Sequence, residues 1–571
     1  MEPTPAPDPQ EIDSLFAELL HASDPLTQRP WLEYSRRGTG FWSSIMHFLS
    51  TRVGHRQTYA IEDGAVYDAL VMRHAASSHI AMSAYWGQGF ADIGYALLHQ
   101  KTTARASSWV AAGVHSGERI AIVAPMGPEA LYGLCAAWYL ACPVALIPPY
   151  GRAFVTEGLK RAATDHVIGC WSHRDVLPRE LQSQTLWLDR DPAAVSTTYR
   201  SVPFAPDAPA LIVPFSTTLR TAAEQEQEFK AEEVSAGALL RRATVDGVLV
   251  HRLTPNARLA SLALPSWQWQ PGLLVSTLIT GACYVQATLQ DLEQKIDLLD
   301  QAALDRLGIG YRARDFFIHQ GRVPPQHEWF RDPAEHDLQG GWTRLAALPD
   351  LAASTAYSVT MAPGYGASVL FYPRGPARQA PMGLGLPSPG VQMKVLNPSS
   401  GMESTTPTGI LGVVNPDDES TAAIGGLLVT RSAPIPMVSG SIPPIWGGRP
   451  FPAELTLEIV RTRLPLGATI VYNHQHACPV VLGFVGVDEP EPPSIEEIRT
   501  QVELELGPYA ERFRVEIVRL TPRMKHTGEE EEVDSGWYAQ QYNEGMLERL
   551  QREPILQAIS RLRSELAKAL T

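Results

Sequence analysis

Cysteine is scarce in this chain: five thiols in 571 residues, at positions 135, 142, 170, 283 and 478. The odd number, wide spacing and apolar neighbours argue against a disulfide framework and predict reduced, mostly buried thiols. Cys135 and Cys142 sit seven apart in an expected helix and its exit, which is not a zinc-ligand spacing. Long hydrophobic runs are also missing. No stretch approaches the roughly 20 apolar residues that a transmembrane helix needs. Basic charge is in deficit, with 47 Lys and Arg against 61 Asp and Glu, a formal net charge of −14 and no Lys/Arg cluster to offset it. That argues against nucleic acid or an anionic membrane as partner, because both need local positive charge to displace counterions. Met1–Asp13 is acidic and Pro-rich and lacks the basic and apolar blocks of a signal peptide, so a cytoplasmic protein is expected. No Gly-x-Ser-x-Gly elbow occurs, no His is marked as a Ser or Cys partner, and no Gly-x-Gly-x-x-Gly follows an expected strand.

What is present is enough apolar residue for a large core, in a chain long enough for two to four domains. Residues 1–10 hold four Pro and predict disorder. Glu11–Ala22 carries apolar residues at helical spacing (Ile12, Leu15, Phe16, Leu19, Leu20). The pattern is then α/β. Phe90–Gly113 reads as a helix, Arg119–Ala124 as a strand, Pro128–Leu140 as a helix and Val144–Ile147 as a strand, a rhythm that implies parallel pairing. His166–Cys170, Thr185–Leu188 and Ala208–Phe215 add strands. Glu224–Glu233 reads as a solvated loop or helix face. Leu259–Leu264, Gly272–Thr280 and Ala282–Gln286 repeat strand, helix, strand. Pro324–Gly341 reads as an irregular polar segment. Val391–Leu396 and Gly409–Val414 predict antiparallel β structure. Glu454–Arg463 is an expected helix, Thr469–Asn473 with Val480–Val487 a hairpin, Ser494–Leu506 a helix opened by a capping box of Ser494 and Glu497, and Phe513–Leu520 a strand. The tail Ala539–Leu570 reads as helical, broken at Pro554.

Five segments, in order, resemble those of the adenylate-forming superfamily: acyl-CoA synthetases, fatty acyl-AMP ligases, peptide-synthetase adenylation domains and luciferases. They are Gly117-Glu-Arg-Ile-Ala-Ile-Val-Ala-Pro-Met-Gly-Pro-Glu129, Ala141-Cys-Pro-Val-Ala-Leu-Ile-Pro-Pro149, Gly385-Leu-Pro-Ser-Pro-Gly-Val-Gln-Met-Lys-Val-Leu396, Gly447-Gly-Arg-Pro-Phe-Pro-Ala-Glu-Leu455, and Leu506-Gly-Pro-Tyr509 with Phe513-Arg-Val515. The resemblance implies an α/β adenylate-forming fold: a large N-terminal α/β body with a β-rich subdomain, then a small C-terminal α+β domain. The boundaries expected are an N-terminal extension with a helix (1–50), a large AMP-binding-like domain (51–446), the small domain (447–535) and a helical tail (536–571).

In that family ATP chemistry rests on four devices, and this chain departs from each. Where the family has a Gly/Ser/Thr-rich phosphate loop ending Pro-Lys-Gly, the sequence reads Pro214-Phe-Ser-Thr-Thr-Leu-Arg-Thr-Ala-Ala223. Ser216, Thr217 and Thr218 remain without the glycines that let backbone N–H groups approach phosphate. Ser-Thr-Thr alone is also an ordinary capped turn. Where the family has Tyr-Gly-x-Thr-Glu, the chain has Tyr365-Gly-Ala-Ser-Val369. Tyr365, Gly366 and Ser368 persist as remnants of the nucleotide site, but Val369 replaces the carboxylate that helps hold magnesium, a cation that takes oxygen ligands. No Thr-Gly-Asp lies between Gly426 and Gly447, and Gly440–Trp446 holds neither the hinge Asp nor the Lys. At the end of Pro522-Arg-Met-Lys-His-Thr-Gly528, Glu529 stands where the family has its adenylation Lys. Lys525 lies a few residues early. Glu529–Glu532 reads as a solvated acidic loop that would repel a triphosphate.

Ser266-Trp-Gln-Trp-Gln-Pro-Gly272 falls where the family carries Pro-x-x-His-x-x-Gly beside its acyl pocket. Trp267 and Trp269 suit core packing and a pocket floor equally. His474, His476 and Cys478, two apart, would point to one side of an extended strand, but a hairpin turn is the expected context and no fourth ligand is evident, so no metal site is assigned. No catalytic residue and no cofactor is assigned either. The resemblance implies a divergent family member that does not carry out ordinary adenylation and binds a small acyl or aryl ligand or serves as a partner in a biosynthetic pathway; an acyl carrier protein is a partner it allows. Two alternatives stand beside it: an active ATP- and Mg²⁺-dependent carboxylic-acid ligase with relocated residues, and a different reaction in the repurposed pocket.

Overall fold

The computed structural model describes residues 64–189, 200–214, 218–219, 231–262, 270–331, 341–352, 354–361, 368–371, 375–376, 386–387, 392–396, 408–414, 421–430, 437–441, 445–446, 449–450, 453–461, 463–464, 466–473, 478–486, 494–506, 513–527 and 530–547. The chain divides into two compact units, one of Met1–Pro149 with Val155–Ser441, the other of Tyr150–Phe154 with Ile442–Thr571. The expected N-terminal helix, the turn with His474 and His476, and the tail around Pro554 lie outside the described residues.

The larger unit holds three sheets. The first has six strands: β3 (Ile120–Val123), β4 (Val144–Ile147), β5 (His166–Gly169), β6 (Leu186–Trp187), β7 (Pro209–Val213) and β9 (Glu232–Ser235), in the order β6-β5-β3-β4-β7-β9. All its pairs are parallel except β7 with β9. Every residue of β3 and β4 is buried, as expected of strands covered on both faces. Helix α2 (Pro128–Tyr139) follows β3 with Pro128 at its start, where a missing N–H is no loss. Helix α3 (Arg152–Ala162) precedes β5, and helix α4 (Ala236–Thr244) follows β9.

The second sheet comprises β1 (Ile80–Tyr85), β2 (Phe90–Gly94), β10 (Arg258–Ser261), β11 (Cys283–Gln286), β12 (Leu304–Gly308), β13 (Gln326–Arg331), β14 (Thr355–Met361), β15 (Ser368–Phe371), β16 (Gly375–Pro376) and β17 (Leu386–Pro387). Its path is β17-β15-β14-β13-β12-β10-β11-β1-β2, with β16 beside β14. The run from β14 to β1 is parallel throughout. One face packs on a core that includes Leu307, Phe317, Trp329 and Trp342. The third sheet is antiparallel: β18 (Gln392–Leu396), β19 (Thr408–Val414), β20 (Thr421–Thr430) and β21 (Met437–Ser441), with β8 (Thr218–Leu219) on β20.

Three expectations are corrected here. Phe90–Gly94 is a strand, and the helix, α1, spans Tyr95–Ala111; Phe90 and Ile93 serve a hairpin with β1. The segment read as irregular contains β13, because Trp329 and Phe330 are fully buried between β12 and β14. Glu232 and Glu233 belong to strand β9, paired with β7, rather than to a loop or helix.

The smaller unit has a three-stranded sheet, β24 (Ala468–Asn473), β25 (Cys478–Val485) and β26 (Arg514–Arg519), and two two-stranded ones, β22 (Ile445–Trp446) with β23 (Arg449–Pro450) and β27 (Met524–Thr527) with β28 (Glu530–Val533). Strands β24 and β25 form the expected hairpin, and β26 joins β25 in parallel. Alternation along β25 gives the sheet two cores. Val481 and Val485 face one core with Ile498, Val502 and Leu506 of α9 (Ile495–Leu506) and with Ile459 and Val460 of α8 (Ala453–Arg461). Val480, Leu482 and Phe484 face the other with Tyr538 of α10 (Ser535–Asn543). From Glu530 the acidic run is a strand, not a loop: β28 pairs with β27 so that Lys525 registers with Glu532 and His526 with Glu531.

Candidate functional site

Open parallel sheets bind ligands beyond the carboxyl ends of their strands, where successive connections leave in opposite directions. In the large sheet that point lies between β10 and β12. The chain leaves β10 for β11 on one side through helix α5 (Gln270–Thr280), then returns past β10 to β12 on the other. Strands β13 and β14 follow outward from β12, so the ends at Ser261, Gly308, Arg331 and Met361 lie along one edge.

Two of the segments singled out in the sequence follow, in the chain, strands that end at this edge. The chain leaves β10 through Leu262 into the stretch that carries Trp267 and Trp269, which themselves lie outside the described residues. It leaves β14 at Met361 into the stretch that carries Tyr365 and Gly366, also outside them. Ser368 returns as the first residue of β15, paired with Met361. Strands β10 and β14 are three spacings apart, about 14 Å. The third segment, Ser216 to Thr218, leaves the six-stranded sheet at the carboxyl end of β7. Ser216 and Thr217 lie outside the described residues; Thr218 pairs with Ile424 of β20, so this segment ties the six-stranded sheet to the antiparallel one. Of these segments the structure places Ser368 beside the end of β14 and Thr218 on a different sheet.

Sequence reasoning missed what supports that edge. On one face of β13, Phe330 stacks on Tyr357 (centroids 5.4 Å) and packs against His251 (4.9 Å). His251 is fully buried, and its Nδ1 lies 2.9 Å from the Tyr357 hydroxyl. Gly308 allows this: a Cβ there would lie 2.7 Å from Phe330 Cζ and 3.0 Å from Ser261 Oγ. On the other face, the Trp342 ring in α7 (Gly341–Ala346) lies 5.1 Å from the Arg314 guanidinium and 5.0 Å from that of Arg331, with Trp329 alongside at 6.2 Å. Arg314, in the first turns of α6 (Tyr311–Gln320), pairs with Asp315 at 2.8 Å. Contacts between residues some 100 positions apart, such as His251 with Tyr357, leave no local sequence signal.

Four of the five thiols, Cys135, Cys142, Cys170 and Cys283, offer no nucleophile. Burial pushes Cys170 and Cys283 up to about 12 and Cys142 up to about 11, and it raises Cys135 further in the same direction. All four are free and buried, so at neutral pH they are unreactive thiols. In the chain the position after Ser368 on β15 is Val369, which carries no oxygen of the kind that a hard cation takes as ligand.

Two doubly wound sheets, an antiparallel subdomain and a small α+β unit together make the adenylate-forming enzyme fold. Solved structures with this fold match most of the chain at low identity. An o-succinylbenzoate CoA synthetase from Bacillus subtilis is 14% identical, with 80% of this chain and 95% of that one covered and a TM-score of 0.61. An amide bond synthetase from Marinactinospora thermotolerans is 15% identical, covers 84% and 99%, and gives 0.62. A fatty acyl-adenylate ligase, from a study of those of E. coli and L. pneumophila, is 15% identical, covers 85% and 99%, and gives 0.57. No family model and no curated protein sequence matches the chain. Among the described residues no helix is long and apolar enough to cross a membrane.

Proposed function

We propose that this chain keeps the acyl-binding edge of the adenylate-forming fold without its ordinary ATP-dependent chemistry, and binds a small acyl or aryl group, free or carried on a thioester. Val369 carries the reading. It follows Ser368 on β15, at the edge where β14 ends, and it removes the oxygen donor that a phosphate-bound magnesium ion requires. Phosphoryl and adenylyl chemistry depend on positioning and on neutralising charge, and Glu529 in place of a lysine adds charge of the wrong sign. The acyl side is better supplied, because the carboxyl end of β10 leads into the segment that carries Trp267 and Trp269. Among proteins of the same fold, one is bound to a coenzyme A product analogue and another is an adenylation domain fused to a carrier domain. Both support a thioester-borne group and a carrier protein as partner.

The test pairs two measurements. Octanoyl-coenzyme A or benzoyl-coenzyme A should raise the melting temperature, as any ligand of the native state does, whereas Mg²⁺-ATP should not. Labelled pyrophosphate should not exchange into ATP with any of a broad panel of carboxylic acids. Robust exchange would identify a working ligase instead. A new product formed from the thioesters without ATP would identify a different reaction in the same pocket.

A further inference from the structure

We draw no further inference here: the strongest candidate, the side-chain cluster beyond the carboxyl ends of β3 and β5, where the buried Arg105 pairs with Glu129 and the Arg174 guanidinium lies over the ring of the exposed Trp171, carries nothing because these contacts are made within the cluster itself and nothing in the structure shows what it would bind.

Discussion

At the residue scale, His74 shows how burial becomes a pH dependence. Its ring packs on Tyr95 with centroids 5.0 Å apart, and its Nε2 lies 3.3 Å from Ile279 O. Burial, helped by the Arg73 charge, holds it down to about 4. The unfolded chain has an ordinary histidine near 6.5, so as pH falls the unfolded state takes up a proton first. Stability from this group is complete above about 6.5 and is lost progressively as pH falls toward 4, by roughly 3 kcal/mol in full. Urea unfolding at pH 7 and pH 5 should show the loss, and His74→Phe should flatten it. An unchanged slope in the variant would place the acid sensitivity elsewhere. Gly308 gives a second test. With Phe330 fully buried against it, Gly308→Ala forces the ring off the strand and should cost about 1–3 kcal/mol in the same assay.

At the scale of elements, α9 has a cap that the sequence announced. Ser494 Oγ accepts from Glu497 N–H at 3.4 Å. Ser494→Ala should lower stability by about 1 kcal/mol, read by urea unfolding, and leave octanoyl-coenzyme A affinity unchanged. What was legible and what was not divides along a physical line. Strands β3 and β4 are unbroken apolar runs, and a run of that kind has few other fates. Strand β13 is hidden in Gln326-His-Glu-Trp-Phe-Arg331, whose hydrogen-bond partners lie on strands on either side that the local sequence does not specify. The sequence of Phe90–Gly94 does not tell strand from helix, because its apolar residues fit a helix as well as a short hairpin. For the site, motif letters single out Ser368 and the residues before it, but nothing in the local sequence marks the Phe330, Tyr357 and His251 stack, which elements far apart in the chain assemble.

At the scale of the whole molecule, each unit has its own core. A Leu→Ala change at a fully buried position costs about 3 kcal/mol. Leu307 serves the larger unit and Leu482 the smaller, both fully buried. Scanning calorimetry of the full chain should show two transitions, with Leu307→Ala lowering one and Leu482→Ala the other. A single transition lowered equally by both would mean that the units melt as one. The pairing of β8 with β20 has a further consequence, for biosynthesis. Leu219 meets Ala423 across the antiparallel sheet, so about 200 residues separate the partners. At roughly 5–20 residues per second a ribosome takes about 10–40 s to deliver the second after the first. Throughout that interval Thr218–Leu219 leaves the ribosome as an unmatched edge. The contact that ties β8 into the antiparallel sheet therefore cannot close until β20 has been made.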